Sequence, residues 1–141
     1  MSIVPNHNAI EPLWSDRLPR PHFRYSPLVR AGAFYKTAGL IALLPETGTL
    51  EPGGPGAQTA RILANLTAAL PDFGLTLGDL MSVTLYTTRF DAFGEINAAW
   101  NAVFTADRPA PARTSVGVAA LPLAASVEME FWFYRRSSTT S

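Results

Sequence analysis

Three charged side chains stand where the chain otherwise reads as apolar sheet. Arg113 opens the run "RTSVGVAAL", and Glu128 and Glu130 alternate with apolar residues in "SVEMEFWFY". A guanidinium stays charged under ordinary conditions, and its fork matches a carboxylate with two parallel hydrogen bonds. At a strand edge between apolar neighbours, Arg113 can hold a small organic acid. It can equally pair with Glu128 or Glu130, or simply meet solvent at the start of a strand. Alternate strand positions put both glutamates on one face. They either bond across a subunit seam, or one of them, partly buried with a raised pKa, manages a proton or orients a water.

Tyr25 and Asn97 are further candidates. Tyr25 lines a pocket or lies half-buried in a strand; Asn97, one turn after Phe93, meets a ligand, solvent or backbone. Gly39, Gly48 and Gly117 read as turn or close-packing glycines. His7 and His22 are the only histidines, which argues against a multi-histidine metal site. No glycine-rich loop leads into a lysine and a hydroxyl, and "EPGGPGAQ" has prolines where a phosphate cradle wants free N–H groups. There is no cysteine, so disulfides, thiolate metal sites and thiol nucleophiles are excluded. Any reaction here has to run on carboxylate, guanidinium, hydroxyl, amide and water.

These groups need elements to carry them. Residues 1–22 hold four prolines, at 5, 12, 19 and 21, and read as an extended arm or a poorly ordered lead-in. A single domain is expected over 23–135, followed by a polar tail over 136–141. "FRYSPLVRAGAFYKTAGLIAL" gives two short strands around Ala31-Gly32, the second continuing towards Leu43. "AQTARILANLTAAL" (57–70) has the spacing of a helix, with Ala60, Leu63, Leu66 and Leu70 on one stripe, widened by Ile62 and Ala69. A strand follows with Met81, Val83 and Leu85 on one side and Ser82, Thr84 and Tyr86 on the other. Asp91 is positioned to cap a second helix over 92–105, with Phe93, Ile96, Trp100 and Val103 or Phe104 inward.

Two strands close the chain. In the last, Val127, Met129, Phe131 and Phe133 point one way and Glu128, Glu130, Trp132 and Tyr134 the other. The order of elements predicts an α+β fold, a two-layer arrangement with both helices on one face of a single mixed sheet. The other face, with Trp132, Tyr134 and Tyr86 beside carboxylates, is too aromatic to be simply wet and too polar for a second core. Packing between subunits resolves that conflict.

Composition narrows the class. The chain has 141 residues, which suits one domain, and only 16% are charged against 48% hydrophobic, as expected if self-association hides surface. Eleven basic residues balance eleven acidic ones, so net charge draws the chain to neither nucleic acid nor an anionic membrane. No apolar run approaches the roughly 18 residues of a membrane span. The first residues lack a secretory signal, and cytoplasm is the expected compartment.

The pieces "RYSP", "TAGLIALLPETGTL", "AQTARILANL", "FGEINAAWNAVF", "PARTSVGVAALP" and "VEMEFWF", in this order and spacing, resemble the RidA (YjgF) family over roughly residues 23–134. The resemblance implies a chorismate-mutase-like fold and a homotrimer with clefts between adjacent subunits. It also implies hydrolysis of small reactive enamine or imine acids, such as 2-iminopropanoate and 2-iminobutanoate, to 2-oxo acids and ammonia, without metal or cofactor. Arg113 matches the arginine that grips the substrate carboxylate, and Glu128 the glutamate near the catalytic water. Tyr25 and Asn97 match residues of the cleft, and the backbone at Gly39 and Ser115 lines it. This chain has Thr37-Ala38-Gly39 where serine commonly precedes the glycine. It has Ser115 where cysteine is common, and Gly117 where a larger side chain is usual. The alternative is a catalytically silent trimer that binds a metabolite or protein through the same clefts. An RNA-directed nuclease gains nothing from a net charge of zero and two histidines.

Overall fold

The structure, a computed structural model, describes residues 9–136. Its centre is the last strand, β7 (Val127–Tyr134), where the period of two is strict. Val127, Met129, Phe131 and Phe133 are fully buried, while Glu128 and Glu130 are half-buried and Trp132 and Tyr134 exposed on the other face. Burying four such side chains contributes about 1.5–3 kcal/mol each, which fixes the register of everything paired to this strand.

β7 pairs antiparallel with β3 (Phe34–Thr37) and β4 (Leu40–Ile41) on one side and with β5 (Leu80–Thr87) on the other. Outward from β3 lie β2 (Leu28–Ala31) and β1 (Glu11–Leu13); beyond β5 lies β6 (Ala112–Gly117), parallel to it. The β5–β6 connection is a crossover through α2 (Phe93–Val103), as a parallel pair requires. α1 (Pro55–Ala69) packs beside α2. Ile62, Leu63 and Leu66 of α1 and Ile96 and Trp100 of α2 share one core with the inward side chains of β5 and β7. The fold is the expected α+β sheet with both helices on one face. Among the described residues no helix is long and apolar enough to cross a membrane.

Several details depart from the sequence reading. Part of the stretch expected as an arm is built into the domain, from Glu11 onward. β1 extends the sheet edge with Pro12 opposite Val29, and Leu18 is buried in the common core. An edge strand tolerates proline because it leaves one row of backbone groups unpaired. Residues 1–8 and 137–141, the rest of the arm and nearly all of the tail, lie outside the described residues. The strand expected to run on towards Leu43 breaks after Thr37, and Leu40–Ile41 resumes against Met129 and Glu128. Pro55 opens the first helix, where its missing N–H costs nothing; Ala60 is exposed and Gln58 and Thr59 are buried instead. Both buried polar groups are satisfied: Gln58 Oε1 accepts from Ser126 N at 2.9 Å, and Thr59 Oγ1 donates to Pro55 O at 2.8 Å.

Met81 does not join Val83 and Leu85. The register shifts between Leu80 and Ser82, so Leu80 takes the inner place and Met81 is left exposed. Asp91 lies within a 3-10 turn, Phe90–Ala92, and makes a two-pronged pair with Arg89 (2.9 Å on each oxygen) rather than capping α2. Before β7, Leu123 and Ala124 both adopt positive φ, 55° and 57°. That region costs a side chain with a Cβ about 1 kcal/mol relative to glycine. Ala124→Gly is therefore expected to stabilise the protein by about 1 kcal/mol in urea unfolding, with an unchanged m-value.

Candidate active site

Arg113 faces the helices. It sits opposite Val83 in the parallel pair, and Val83 is fully buried, so the guanidinium enters the rim of the core beneath α2. Asn97 meets it there: Arg113 Nη2 donates to Asn97 Oδ1 at 2.8 Å. The guanidinium carbon lies 4.8 Å from the Trp100 ring centroid and 5.4 Å from that of Phe93. Phe93, Asn97 and Trp100 are i, i+4 and i+7 of one helix, so a single face of α2 supplies an amide between two aromatic planes. Arginine suits this slot because a planar, weakly hydrated cation can lie against rings while its fork still directs N–H groups to other partners.

One part of the fork is unspent. Among the described residues Arg113 Nη1 is buried without a hydrogen-bond partner. An uncompensated N–H of a charged group costs on the order of 1–3 kcal/mol, the pattern of a donor held for something else. Burial holds the guanidinium pKa below its ordinary value, although it stays protonated at neutral pH. Neither glutamate pairs with it. Ser115 lies two residues on, on the same face of β6, opposite buried Leu85.

The two glutamates have separate roles. Glu130 receives Lys36 Nζ at 3.2 Å and Tyr86 Oη at 3.0 Å, a closed ion-pair and hydrogen-bond group. Glu128 has no hydrogen-bond partner among the described residues. Its carboxyl pKa is raised, first by burial and then by the charge of Glu130. Gly39 lies against it: a Cβ built on Gly39 would come within 2.9 Å of the Glu128 carboxyl carbon, so only glycine leaves that carboxylate its place. The break between β3 and β4 delivers Gly39 there, because Ile41 then pairs with Glu128. Tyr25 is exposed, just before β2. Its segment adjoins this corner through Ala38 N donating to Pro27 O at 2.9 Å.

The candidates therefore form two groups. Arg113, Asn97 and Ser115 lie on the helix side at the sheet edge; Glu128 and Gly39, with Tyr25 nearby, belong to the opposite side. Within one chain the pleat holds Arg113 and Glu128 apart. The helical period places Phe93 and Trp100 inward without marking them as the clamp around Arg113. Their i, i+7 spacing around Asn97 was the available signal. A cavity of about 440 Å³ between the 14–20 segment and Asp72 contains none of these groups.

The raised pKa of Glu128 is also a stability statement. Folding disfavours its charged form, so its contribution is most favourable below the unfolded carboxyl pKa and is lost as pH rises through the higher folded value. Glu128→Gln is expected to raise Tm at pH 7, with the gain shrinking on acidification and gone near about pH 3, where the carboxyl is protonated in both states. Thermal melts of both proteins across this range measure it.

Comparison with known proteins places the chain in a family. The sequence model of the family described as Endoribonuclease L-PSP matches residues 16–133. A RutC family protein of Pyrococcus abyssi is 33% identical over 127 residues, covering 90% of this chain and 98% of that protein. The 2-iminobutanoate/2-iminopropanoate deaminase of Escherichia coli K12 is 34% identical over 109 residues, covering 77% and 84%. The crystal structure of RidA from the Antarctic bacterium Psychrobacter sp. PAMC 21119 superposes with a TM-score of 0.82 at 30% identity, covering 89% of this chain and 99% of that one. With the match running through both helices and every strand except β1, the chain belongs to the RidA (YjgF) family.

Proposed function

We propose that this protein hydrolyses small 2-imino or 2-enamino acids to 2-oxo acids and ammonia, at a site completed between two copies of the chain. The observation that carries the reading is Arg113: a stacked, amide-anchored guanidinium with one buried nitrogen unpaired among the described residues, a ready receptor for a carboxylate. The deaminase relative, at 34% identity, adds support for the substrate class. Arg113 and Glu128 face opposite ways in one chain, so a common site needs Glu128 from a neighbouring copy. The Glu128 face is suited to contact, since Trp132, Tyr134, Phe34 and Val116 on it are each between 37% and 43% exposed. The proposed assembly is a closed homotrimer, in which each copy gives its Arg113 edge to one neighbour and its Glu128 face to the other.

The reaction asks little of the protein. A protonated imine carbon is already electrophilic. Arg113 holds the carboxylate and so fixes that carbon, while Asn97 holds Arg113. Glu128 accepts a proton from water as its oxygen adds to the carbon, giving a carbinolamine. The same carboxyl returns the proton to nitrogen, the C–N bond breaks and ammonia leaves, while the regenerated carboxylate takes the hydroxyl proton as the oxygen becomes the ketone and releases it to ammonia or solvent. A carboxyl with a raised pKa serves both steps better near neutrality than an ordinary one. An enamine enters the same sequence once its β-carbon has been protonated.

The test couples a threonine dehydratase to this protein in amine-free buffer and follows 2-oxobutanoate at short times. The wild type is expected to accelerate its release, with Arg113→Ala reducing kcat/KM at least about a hundredfold and Arg113→Lys recovering little of it. Equal acceleration by wild type and Arg113→Ala would remove the carboxylate grip. No acceleration by either would favour a silent ligand-binding assembly.

A further inference from the structure

The helix side of β6 presents Arg113, Ser115 and Gly117 at alternate positions, about 13 Å from first to last. The far end has no strand side chain, and a ring from elsewhere fills the place. A Cβ on Gly117 would come within 3.2 Å of Phe90 Cδ2 and 3.7 Å of Cε2. Phe90 belongs to the 3-10 turn before α2, stacks on Phe93 with centroids 4.8 Å apart and planes 23° from parallel, and remains 47% exposed. Phe93 in turn flanks Arg113. An apolar wall thus leads from the guanidinium through Phe93 to a half-exposed ring seated on bare backbone.

That wall has no evident structural duty at its outer end. Phe90 is not part of the core cluster, and beside its stack on Phe93 nearly half of it remains exposed. It is anchored enough to discriminate, on Phe93 and on Gly117, and open enough to be touched. We infer that Phe90, admitted by Gly117, is the specificity-determining residue for the group at C3 of the substrate. It favours 2-imino acids with branched aliphatic or aromatic side chains over 2-iminopropanoate. This inference rests on the imine-hydrolase reading, since Arg113 must hold the carboxylate for the tail to reach the ring. Ring contact of this kind is worth about tenfold or more in kcat/KM between large and small apolar side chains.

The test generates imino acids in place with an L-amino-acid oxidase, which reduces O2 to H2O2 while oxidising the amino acid, with catalase present. Alanine, leucine and phenylalanine are compared, and imine is trapped as its semicarbazone. The wild type is expected to remove the leucine- and phenylalanine-derived imines with kcat/KM about tenfold above the alanine-derived one. Phe90→Ala should erase that ratio, chiefly through KM. Gly117→Ala, whose Cβ would make the ring give by a few tenths of an ångström without deleting it, should lower it as well. A wild type that removes all three imines equally, or a ratio that survives both substitutions, overturns the assignment while leaving the hydrolase reading intact. Removal of none of the three imines overturns both.

Discussion

The pleat of one central strand constrains everything else in this molecule. β7 is hydrogen-bonded on both sides, and its inward residues Val127, Met129, Phe131 and Phe133 are fully buried. A slip of one residue would bury two glutamates and expose two phenylalanines, so the register has no near competitor. That register sets β5 and, through it, β6. It therefore decides that Arg113 turns towards the helices and that Glu128 turns away from them. The requirement that builds the core also separates the two groups on which the proposed reaction depends. The proposed function follows from taking that separation seriously, since a protein that needs both groups at one carbon has to bring two copies together.

Arg113 shows how the fold accommodates a charge at the core's rim. Its cost is met partly by Asn97 and partly by the rings of Trp100 and Phe93, all on one face of α2. The arrangement stops short of full satisfaction at Nη1. Glu128 shows the same incompleteness on the other face, where Gly39 clears its space and no partner among the described residues takes its oxygens, while its neighbour Glu130 is held by Lys36 and Tyr86. Two similar glutamates, two residues apart, thus have different fates: one stabilises the sheet face, and the other remains available.

Much of this was legible in the sequence, and the physical reasons are specific. The alternation of β7 announced its two faces, and the stripe of Leu63, Leu66 and Leu70 announced α1, because both follow fixed geometric periods. What period analysis could not supply was anything set by a local break in pairing. The displacement of Met81 comes from a register shift, and the stop after Thr37 comes from a strand that yields to a second short one. The pairing of β1 was not legible because prolines at an edge look the same in sequence as prolines in a loop. At the site, Arg113 and Glu128 stood out as charges in apolar strands. Which glutamate was free depended on Lys36, 94 residues away from Glu130, and no local pattern carries that information.

The measurement that tests the account most directly is complementation between two inactive variants. Arg113→Ala and Glu128→Ala chains are co-produced in equal amounts, purified as mixed assemblies, and assayed for imine hydrolysis beside each parent alone. If each site takes Arg113 from one copy and Glu128 from the next, random mixing restores both groups in about a quarter of the sites. Activity near a quarter of the wild type is then expected, with each parent close to background. Mixed assemblies no more active than the parents, with mixing verified by mass, would contradict a site shared between copies.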